Sequence, residues 1–205
     1  MRRGAAPSDI LNAMTVDVEE HFQVSAFEHV VRREDWSAHP SRVMPNTEKL
    51  LALFGEAGIR ATFFVLGVVA RDHPELVRRI VAGGHEVASH GYSHKLVYTQ
   101  SPEEFRRETV DSRRILQDLT GQEVAGYRAA SFSIGPRNSW ALDVIAEAGF
   151  TYDSSLFPIR HDRYGFPGAP RRMHRLKTRS GNSVIDVPLS TLRLGRFALP
   201  VGGGG

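Results

Sequence analysis

Residues 56–94 read EAGIRATFFVLGVVARDHPELVRRIVAGGHEVASHGYSH, and this stretch decides the fold. A strand rich in Phe and Val, 61–66, is followed by a helix, 74–82, which ends at a pair of glycines, and then by a second strand, 85–89. Strands that alternate with helices are typical of a mostly parallel sheet, either open or closed into a barrel. In barrels the chemistry lies where strands end, so the residues that follow each strand are the candidates for a site.

The same alternation extends along most of the chain. Further strands are predicted at 10–18, 124–130, 151–153 and 184–187, and further helices at 45–57, 102–119 and 137–148. The helix at 102–119 starts with Ser101 as its N-cap, because proline and two glutamates follow it. The sequence therefore predicts an α/β fold.

Composition excludes several classes of protein. The 205 residues are 41% hydrophobic and 24% charged, which is ordinary for a globular protein. The absence of cysteine excludes disulfides and thiolate metal ligands. No run approaches the roughly 20 apolar residues of a membrane helix, and no apolar core of about 7–15 residues follows the basic N-terminus. We therefore expect a cytoplasmic protein.

The charge is unevenly distributed. The net charge is +3, but residues 159–205 hold nine of the Lys and Arg residues against two Asp. This stretch contains few aromatic residues and no nucleic-acid motif, so no nucleic-acid partner is predicted. It is interpreted either as a solvated basic surface or as a groove for an anionic polymer or headgroup.

Acidic side chains cluster at the end of the first strand. Asp17, Glu19 and Glu20 precede His21, and alternation places the first two on one face of the strand. Carboxylates packed this closely repel one another unless a cation or an arginine lies between them. Two interpretations stay open, namely a solvated acidic loop and a cation site.

A histidine pair follows the strand at 85–89. His90 and His94 can bind one metal ion if the turn between them is helical. Two imidazoles and one carboxylate leave an open position for water, which is the arrangement of a catalytic metal site. The histidine pair alone is weak evidence for a metal site, and the acidic cluster strengthens it because it supplies the carboxylate.

Two charged residues lie in or near the later strands. Arg128 falls inside the predicted strand at 124–130, where burial without a partner is costly. It either reaches the surface or clamps a carboxylate such as Asp17 with two hydrogen bonds. Asp153 ends the next strand, either as a turn residue or as part of the site.

In combination these residues resemble the NodB-homology polysaccharide deacetylases, carbohydrate esterase family 4. The family's TFDD motif corresponds to Thr15–Glu19, its HSxxH motif to His90–His94, its RxPY motif to Arg128–Ser131 and its DSxxY motif to Asp153–Phe157. The resemblance extends over about 10–190. The runs TVDVEEHFQVSAF and YRAASFSI resemble one branch, the deacetylases of exosortase-associated exopolysaccharide loci.

This resemblance implies a distorted (β/α) barrel of fewer than eight units. It implies an enzyme that removes N-acetyl groups from an amino-sugar polymer and that associates peripherally with a membrane machinery for polysaccharide synthesis. Two alternatives stay open: hydrolysis of a cyclic amide, as in allantoinases of the same fold, and an inactive carbohydrate-binding remnant. The sequence does not indicate an oligomeric state.

The resemblance also implies the metal ligands. The second carboxylate of the first motif is Val18 here, which cannot bind a metal, so the ligand moves to Glu19, with Glu20 less favourable by its direction. Glu19, His90 and His94 would then hold one divalent ion, for which zinc is predicted.

Three catalytic roles follow from the same comparison. Asp17 would be the general base, Arg128 would orient it, and Asp153 would tune the histidine of a fifth motif, Leu-x-His. That fifth motif has no convincing match before Gly205. We therefore expect residues 1–9 to be a loose lead-in and residues 10–205 to be a deacetylase domain that is incomplete at its C-terminus and nearly inactive.

Overall fold

A seven-stranded sheet forms the centre of the computed structural model, which describes residues 12–161, 164–195 and 197–202. Its strands are β1 (Met14–Val18), β2 (Ala61–Val65), β3 (Glu86–Ser89), β4 (Gly126–Tyr127), β5 (Tyr152–Asp153), β6 (His174–Lys177) and β7 (Ser183–Asp186). They lie in the order β1-β2-β3-β4-β5-β7-β6, and every neighbouring pair is parallel except β6 and β7. The predicted lead-in at residues 1–9 lies outside the described residues.

Helices connect the parallel strands. They are α1 (Val43–Ala57), α2 (Gly67–Asp72), α3 (Pro74–Ala82), α4 (Pro102–Thr120) and α5 (Ala141–Glu147). An antiparallel hairpin, β8 (Thr191–Leu194) and β9 (Phe197–Pro200), follows the sheet. The predicted α/β fold is confirmed. None of the helices in the described ranges is long and apolar enough to cross a membrane.

The second strand shows why the sheet is covered on both faces. Phe63 and Phe64 point to opposite faces, as neighbours in a strand must, yet both are fully buried. Phe63 packs edge-on against Phe54 of α1 and against His85. Phe64 lies beneath the guanidinium of Arg128 on the other face, 4.0 Å from its ring centre. The helices therefore cover one face, and the charged residues of the site lie on the other.

Three helix boundaries follow from the predicted capping signals. The Ser101 hydroxyl accepts the backbone N–H of Glu104 at the start of α4. Gly121 ends that helix in the left-handed region at φ 65°, which glycine adopts without a steric penalty. Gly58 ends α1 in the same way.

The fourth strand and the last helix differ from the prediction. The strand predicted at 124–130 has only two residues, because Ser131 and Phe132 both adopt left-handed backbone angles and turn the chain away from the sheet. The helix predicted at 137–148 is divided into a 3₁₀ turn at Pro136–Asn138 and α5. Arg128 therefore lies just after a strand, in the position where barrel residues face the site.

Four elements escaped the sequence analysis. Helix α2 is only six residues long, too short for a helical period to emerge. Strand β6 is polar and half exposed, and the β8–β9 hairpin presents exposed leucines, so none of the three has the apolar run or buried apolar face by which the other strands were located.

Candidate metal centre and active site

The carboxyl ends of the parallel strands bring the predicted site residues to one edge of the sheet. Glu19 follows β1, His90 follows β3, Arg128 follows β4, and Asp153 ends β5. Each of these strands is the neighbour or next neighbour of the one named before it, so side chains more than 130 residues apart in sequence lie at one edge of the sheet.

Three of these side chains converge on one point. One ligand atom from each of Glu19, His90 and His94 lies within 4.8 Å of the other two. The Oε2 atom of Glu19 is 2.7 Å from Nε2 of His94, and the two imidazole rings have centroids 5.3 Å apart. Both histidines are about 2% exposed. The residues that the resemblance named as metal ligands therefore form one buried cluster.

The turn that carries the histidines is not helical, so the two rings converge without the helical turn that the four-residue spacing would require. Gly91 has φ 79° and His94 has φ 55°, both in the left-handed region. The first two backbone N–H groups of α2 donate to the carbonyls of Gly91 and Tyr92, at 2.9 and 3.0 Å. A left-handed turn, fixed by a neighbouring helix, thus brings the two rings together.

The surroundings favour the ligand forms of the side chains. Nδ1 of His90 lies 2.9 Å from the Arg128 carbonyl, which assigns the proton to Nδ1 and leaves a lone pair on Nε2. Burial lowers the pKa of His90 below its usual value. Burial acts to raise the pKa of Glu19, but the hydrogen-bond-length contact with His94 and the attraction that either histidine exerts when protonated outweigh it and lower the pKa. Neutral imidazole and ionised carboxylate are the states that bind metal.

The donor set fits a metal ion. Glu19 Oε2 and His94 Nδ1 are buried and lack a hydrogen-bond partner among the described residues. The 2.7 Å contact of Glu19 Oε2 with His94 has the length of a hydrogen bond but not its direction. A buried carboxylate oxygen that lacks a hydrogen bond and lies this close to Nε2 of His94 is expected where a cation is coordinated by both atoms.

Glu20 has a structural role, unlike Glu19, which belongs to the cluster. Its carboxylate accepts the hydroxyl of Ser41 and the backbone N–H groups of Arg42, at 2.9 Å, and Val43, at 3.2 Å. These are the first amides of α1, so Glu20 caps that helix from a distant part of the chain and is directed away from the cluster. This contact also explains why α1 begins at Val43, two residues before the predicted start.

Arg128 and Asp17 form the predicted ion pair, but not with the predicted geometry. Nη1 of the buried arginine donates to Oδ1 of Asp17 at 2.7 Å, and the expected double hydrogen bond is wrong. The other donors are occupied: Nη1 also reaches Thr15 Oγ1 at 3.0 Å, and Nη2 reaches Ser154 Oγ at 2.9 Å. The guanidinium therefore links β1 to the end of β5, and Asp17 stays partly exposed beside the cluster.

Asp153 is fully buried and lies apart from the three-residue cluster. Its Oδ1 accepts the Ser155 hydroxyl at 2.6 Å, and that hydroxyl accepts the backbone N–H of Ala129. Burial raises the pKa of Asp153 to about 6. The carboxylate supports the turn that follows β4, and its predicted catalytic role stays a prediction.

Sequence reasoning missed a second buried carboxylate. Asp186 ends β7 opposite Asp153 in the register, is about 1% exposed, and has no hydrogen bond to either oxygen among the described residues. Nδ1 of His174 lies 3.4 Å away. Burial, with the charge of Asp153, raises the pKa of Asp186 to about 8. An acidic residue at the end of a predicted strand was the available signal.

Comparisons with known proteins show which families the chain is similar to. A family model described as polysaccharide deacetylase matches residues 38–152, and a model described as a domain of unknown function (DUF3473) matches residues 154–205. A chitooligosaccharide deacetylase from Rhizobium leguminosarum bv. trifolii is 31% identical over 153 residues, which cover 75% of this chain and 63% of that protein. The chain spans between 43% and 63% of the length of three chitooligosaccharide deacetylases that it matches.

Solved structures show the same fold. A crystal structure from Mycobacterium smegmatis that carries the family's name matches 92% of this chain and 63% of its own, with a TM-score of 0.67 and 25% identity. Puue allantoinase matches 87% of this chain and 61% of its own, with a TM-score of 0.62 and 22% identity. This likeness shows a shared fold only. The predicted distorted (β/α) barrel is confirmed. Since the first family model spans more than half of its length, the chain belongs to the polysaccharide deacetylase family.

Proposed function

We propose that the protein is a metal-dependent hydrolase that removes N-acetyl groups from amino sugars of a polysaccharide. The observation that carries the proposal is the convergence of Glu19, His90 and His94 beside the Asp17–Arg128 ion pair. The names of the matched relatives support an acetylated sugar polymer as the substrate class. A carboxylate base next to a metal centre suits the hydrolysis of an unactivated amide.

Zinc is the ion that we propose for the cluster. Two imidazoles and one carboxylate are donors that zinc accepts, and three protein ligands leave a position open. When bound, the ion supplies Lewis-acid stabilisation of the amide oxygen and makes a coordinated water more acidic.

Asp17 acts in this proposal as the general base. Its carboxylate is partly exposed beside the cluster and is not one of the three convergent ligands, so it can receive a proton from the attacking water. Arg128 holds the Oδ1 atom at 2.7 Å and fixes the direction of the carboxylate. Because the guanidinium is itself held by Thr15 and Ser154, the base is presented by a rigid support.

The natural polymer that we propose is an exopolysaccharide whose synthesis takes place at a membrane. The runs TVDVEEHFQVSAF and YRAASFSI, which resemble the deacetylases of exosortase-associated loci, support this assignment. Peripheral association with the synthesis machinery is part of the same proposal. Comparing acetate release from partly acetylated exopolysaccharide, chitooligosaccharide and peptidoglycan tests it, and a preference for peptidoglycan would contradict it.

Acetate release from an N-acetylated chitooligosaccharide, by a version of the chain extended through the fifth motif, tests the proposed reaction. We expect release that stops when the metal is removed by a chelator, returns with zinc, and is lost in His90→Ala and His94→Ala. His29→Ala is the matched control, because His29 is exposed and outside the cluster. Both cluster variants should also lose bound zinc after dialysis, whereas the control should keep it.

Three results would contradict the proposal. Undiminished zinc in both cluster variants would refute the ligand assignment. Acetate release that persists without metal would refute the metal dependence. Hydrolysis of allantoin in preference to the oligosaccharide would favour the cyclic-amide alternative.

A further inference from the structure

The segment between β1 and α1, residues 21–42, contacts the site although most of it lies outside the match to the polysaccharide deacetylase model, which begins at residue 38. Two of its side chains reach the loops that follow β3 and β4. The Ser25 hydroxyl lies 2.9 Å from the Ser131 hydroxyl, and Arg33 reaches the turn of the histidine pair. Both contacts end at or beside residues with left-handed backbone angles, Ser131 at φ 48° and His94 at φ 55°.

Arg33 binds both peptide groups that flank His94. Nη1 donates to the carbonyl of Ser93, and Nη2 donates to the carbonyl of His94 at 3.0 Å. The planes of these two peptide groups define φ and ψ of the residue between them. A guanidinium that holds both carbonyls therefore fixes the backbone conformation of the histidine itself.

The left-handed conformation of His94 needs such support. A non-glycine residue in this region is strained, and it persists only where the surroundings over-determine it. The ring of His94 lies 2.7 Å from Glu19, so a relaxation of the backbone would move a ligand atom away from the cluster. Strain at this residue is thus directly linked to the geometry of the metal centre.

The guanidinium is itself held in place. Its Nη2 donates to Glu28 Oε1 at 2.9 Å, and its carbon atom lies 5.0 Å from the ring centre of Trp36. On the opposite side of the turn, the Ser93 hydroxyl donates to Glu108 at 2.6 Å. The turn is therefore held from two sides, and Arg33 is the contact that acts on the two peptide groups of the ligand.

We propose that Arg33 is a positioning residue that keeps His94 in its metal-binding conformation. The inference rests on the metal site of the proposed function. It gives the segment that precedes α1 a role in shaping the metal site. Arginine suits this role because its planar guanidinium can span two carbonyls and a carboxylate, whereas a single ammonium group cannot.

Zinc affinity and the visible spectrum of the cobalt-substituted protein test this inference. We expect Arg33→Gln and Arg33→Lys to bind zinc 10–100-fold more weakly, as for other groups that orient a ligand, and to change the intensity of the cobalt absorption bands. Arg32→Gln is the matched control: Arg32 is the sequence neighbour, is exposed, and pairs with Glu34 and Asp35. Its zinc affinity and cobalt spectrum should equal those of the parent.

The outcomes separate this inference from the proposed function. A parent that binds zinc, with both Arg33 variants within about threefold of its affinity and with unchanged cobalt spectra, would overturn the role of Arg33 and leave the metal site intact. A parent that binds no zinc would overturn the metal site and this inference with it. Equal weakening in the Arg32 control would show a general charge effect and overturn the positioning role. Arg33→Lys keeps the charge and the apolar stem, so it provides a folded variant if Arg33→Gln is unstable.

Discussion

Glu19 and Asp186 are carboxylates at the ends of strands in one sheet, each with a buried oxygen atom, and their neighbours shift their pKa values in opposite directions. Two imidazoles surround Glu19, and its pKa lies below the usual value although burial acts to raise it. Asp186 lies opposite Asp153, and burial with that charge raises its pKa to about 8. Both carboxylates have oxygen atoms without a hydrogen bond among the described residues.

The difference shows that burial alone does not identify a ligand. A carboxylate between imidazoles stays ionised and is ready for a cation, whereas one beside another buried carboxylate retains a proton near neutral pH. The end of β1 is therefore suited to bind a metal ion, and the ends of β5 and β7 are suited to hold a proton. Four substitutions can break or sharpen this distinction.

The largest effect is expected from Asp17→Asn, beside the metal-binding end. In a version of the chain extended through the fifth motif, acetate release should fall by about 10²–10⁴-fold without the general base, while bound zinc stays at the parent level because Asp17 is outside the ligand set. Acetate release and zinc content after dialysis are the measurements. Asp118→Asn, at an exposed position of α4, is the control. Loss of zinc together with activity would show that Asp17 is a ligand.

The next effect concerns metal affinity and compares the two carboxylates directly. Glu19→Gln removes a charged ligand and should weaken zinc binding by more than about 100-fold, beyond the range for residues that only orient ligands. Asp186→Asn should leave the zinc affinity unchanged, since Asp186 is outside the convergent cluster. Competition with a chelator measures both. Equal losses in the two variants would mean that both carboxylates act on one centre.

The third effect concerns stability as a function of pH. The folded pKa of Asp186, about 8, is raised above the value of about 4 for an unfolded chain. Its stabilising contribution is therefore complete below pH 4 and is lost as the pH rises through 8. Asp186→Asn should remove this decline and be more stable than the parent at pH 9, by about 1 kcal/mol or more.

Denaturant unfolding between pH 6 and 9 measures this effect. The window isolates Asp186 from Asp153, whose raised pKa of about 6 acts mainly at lower pH. The control variant Asp118→Asn should keep the decline of the parent. Parallel curves for Asp186→Asn and the parent would show that another group causes the pH dependence.

The sequence predicted the parts of the site that depend on local signals. The end of each parallel strand could be located from an apolar run followed by polar residues, and this placed the acidic cluster and the histidine pair at one edge of the sheet. The resemblance to the deacetylases then singled out Glu19, His90 and His94 as the ligands. The conformation of the turn could not be predicted in this way. The conformation of this turn depends on contacts with α2 and with Arg33, which lies about 60 residues before the turn. Such long-range contacts cannot be predicted from the periodicity of the sequence.

The errors have the same physical origin. The double hydrogen bond expected between Arg128 and Asp17 is absent because Thr15 and Ser154 take the other donors, and these partners are 113 and 26 residues away. The orphaned carboxylate of Asp186 depends on a register between β5 and β7 that only the folded sheet defines. Local patterns thus predict which residues reach the site, and long-range contacts decide what each does there.

The smallest effect is expected from Glu20→Gln, next to the metal ligand. Glu20 accepts the first amides of α1 across 22 residues of sequence, and its negative charge interacts favourably with the positive end of the helix dipole. Glutamine keeps one acceptor oxygen but loses the charge, so the metal-free protein should be destabilised by about 1 kcal/mol, typical of a weakened cap. Zinc affinity should stay within about twofold of the parent, the reverse of the pattern expected for Glu19→Gln. Denaturant unfolding and chelator competition, applied to Glu19→Gln and Glu20→Gln, therefore distinguish a metal ligand from the structural carboxylate next to it in the sequence. A large loss of zinc in Glu20→Gln with unchanged stability would reassign the two roles.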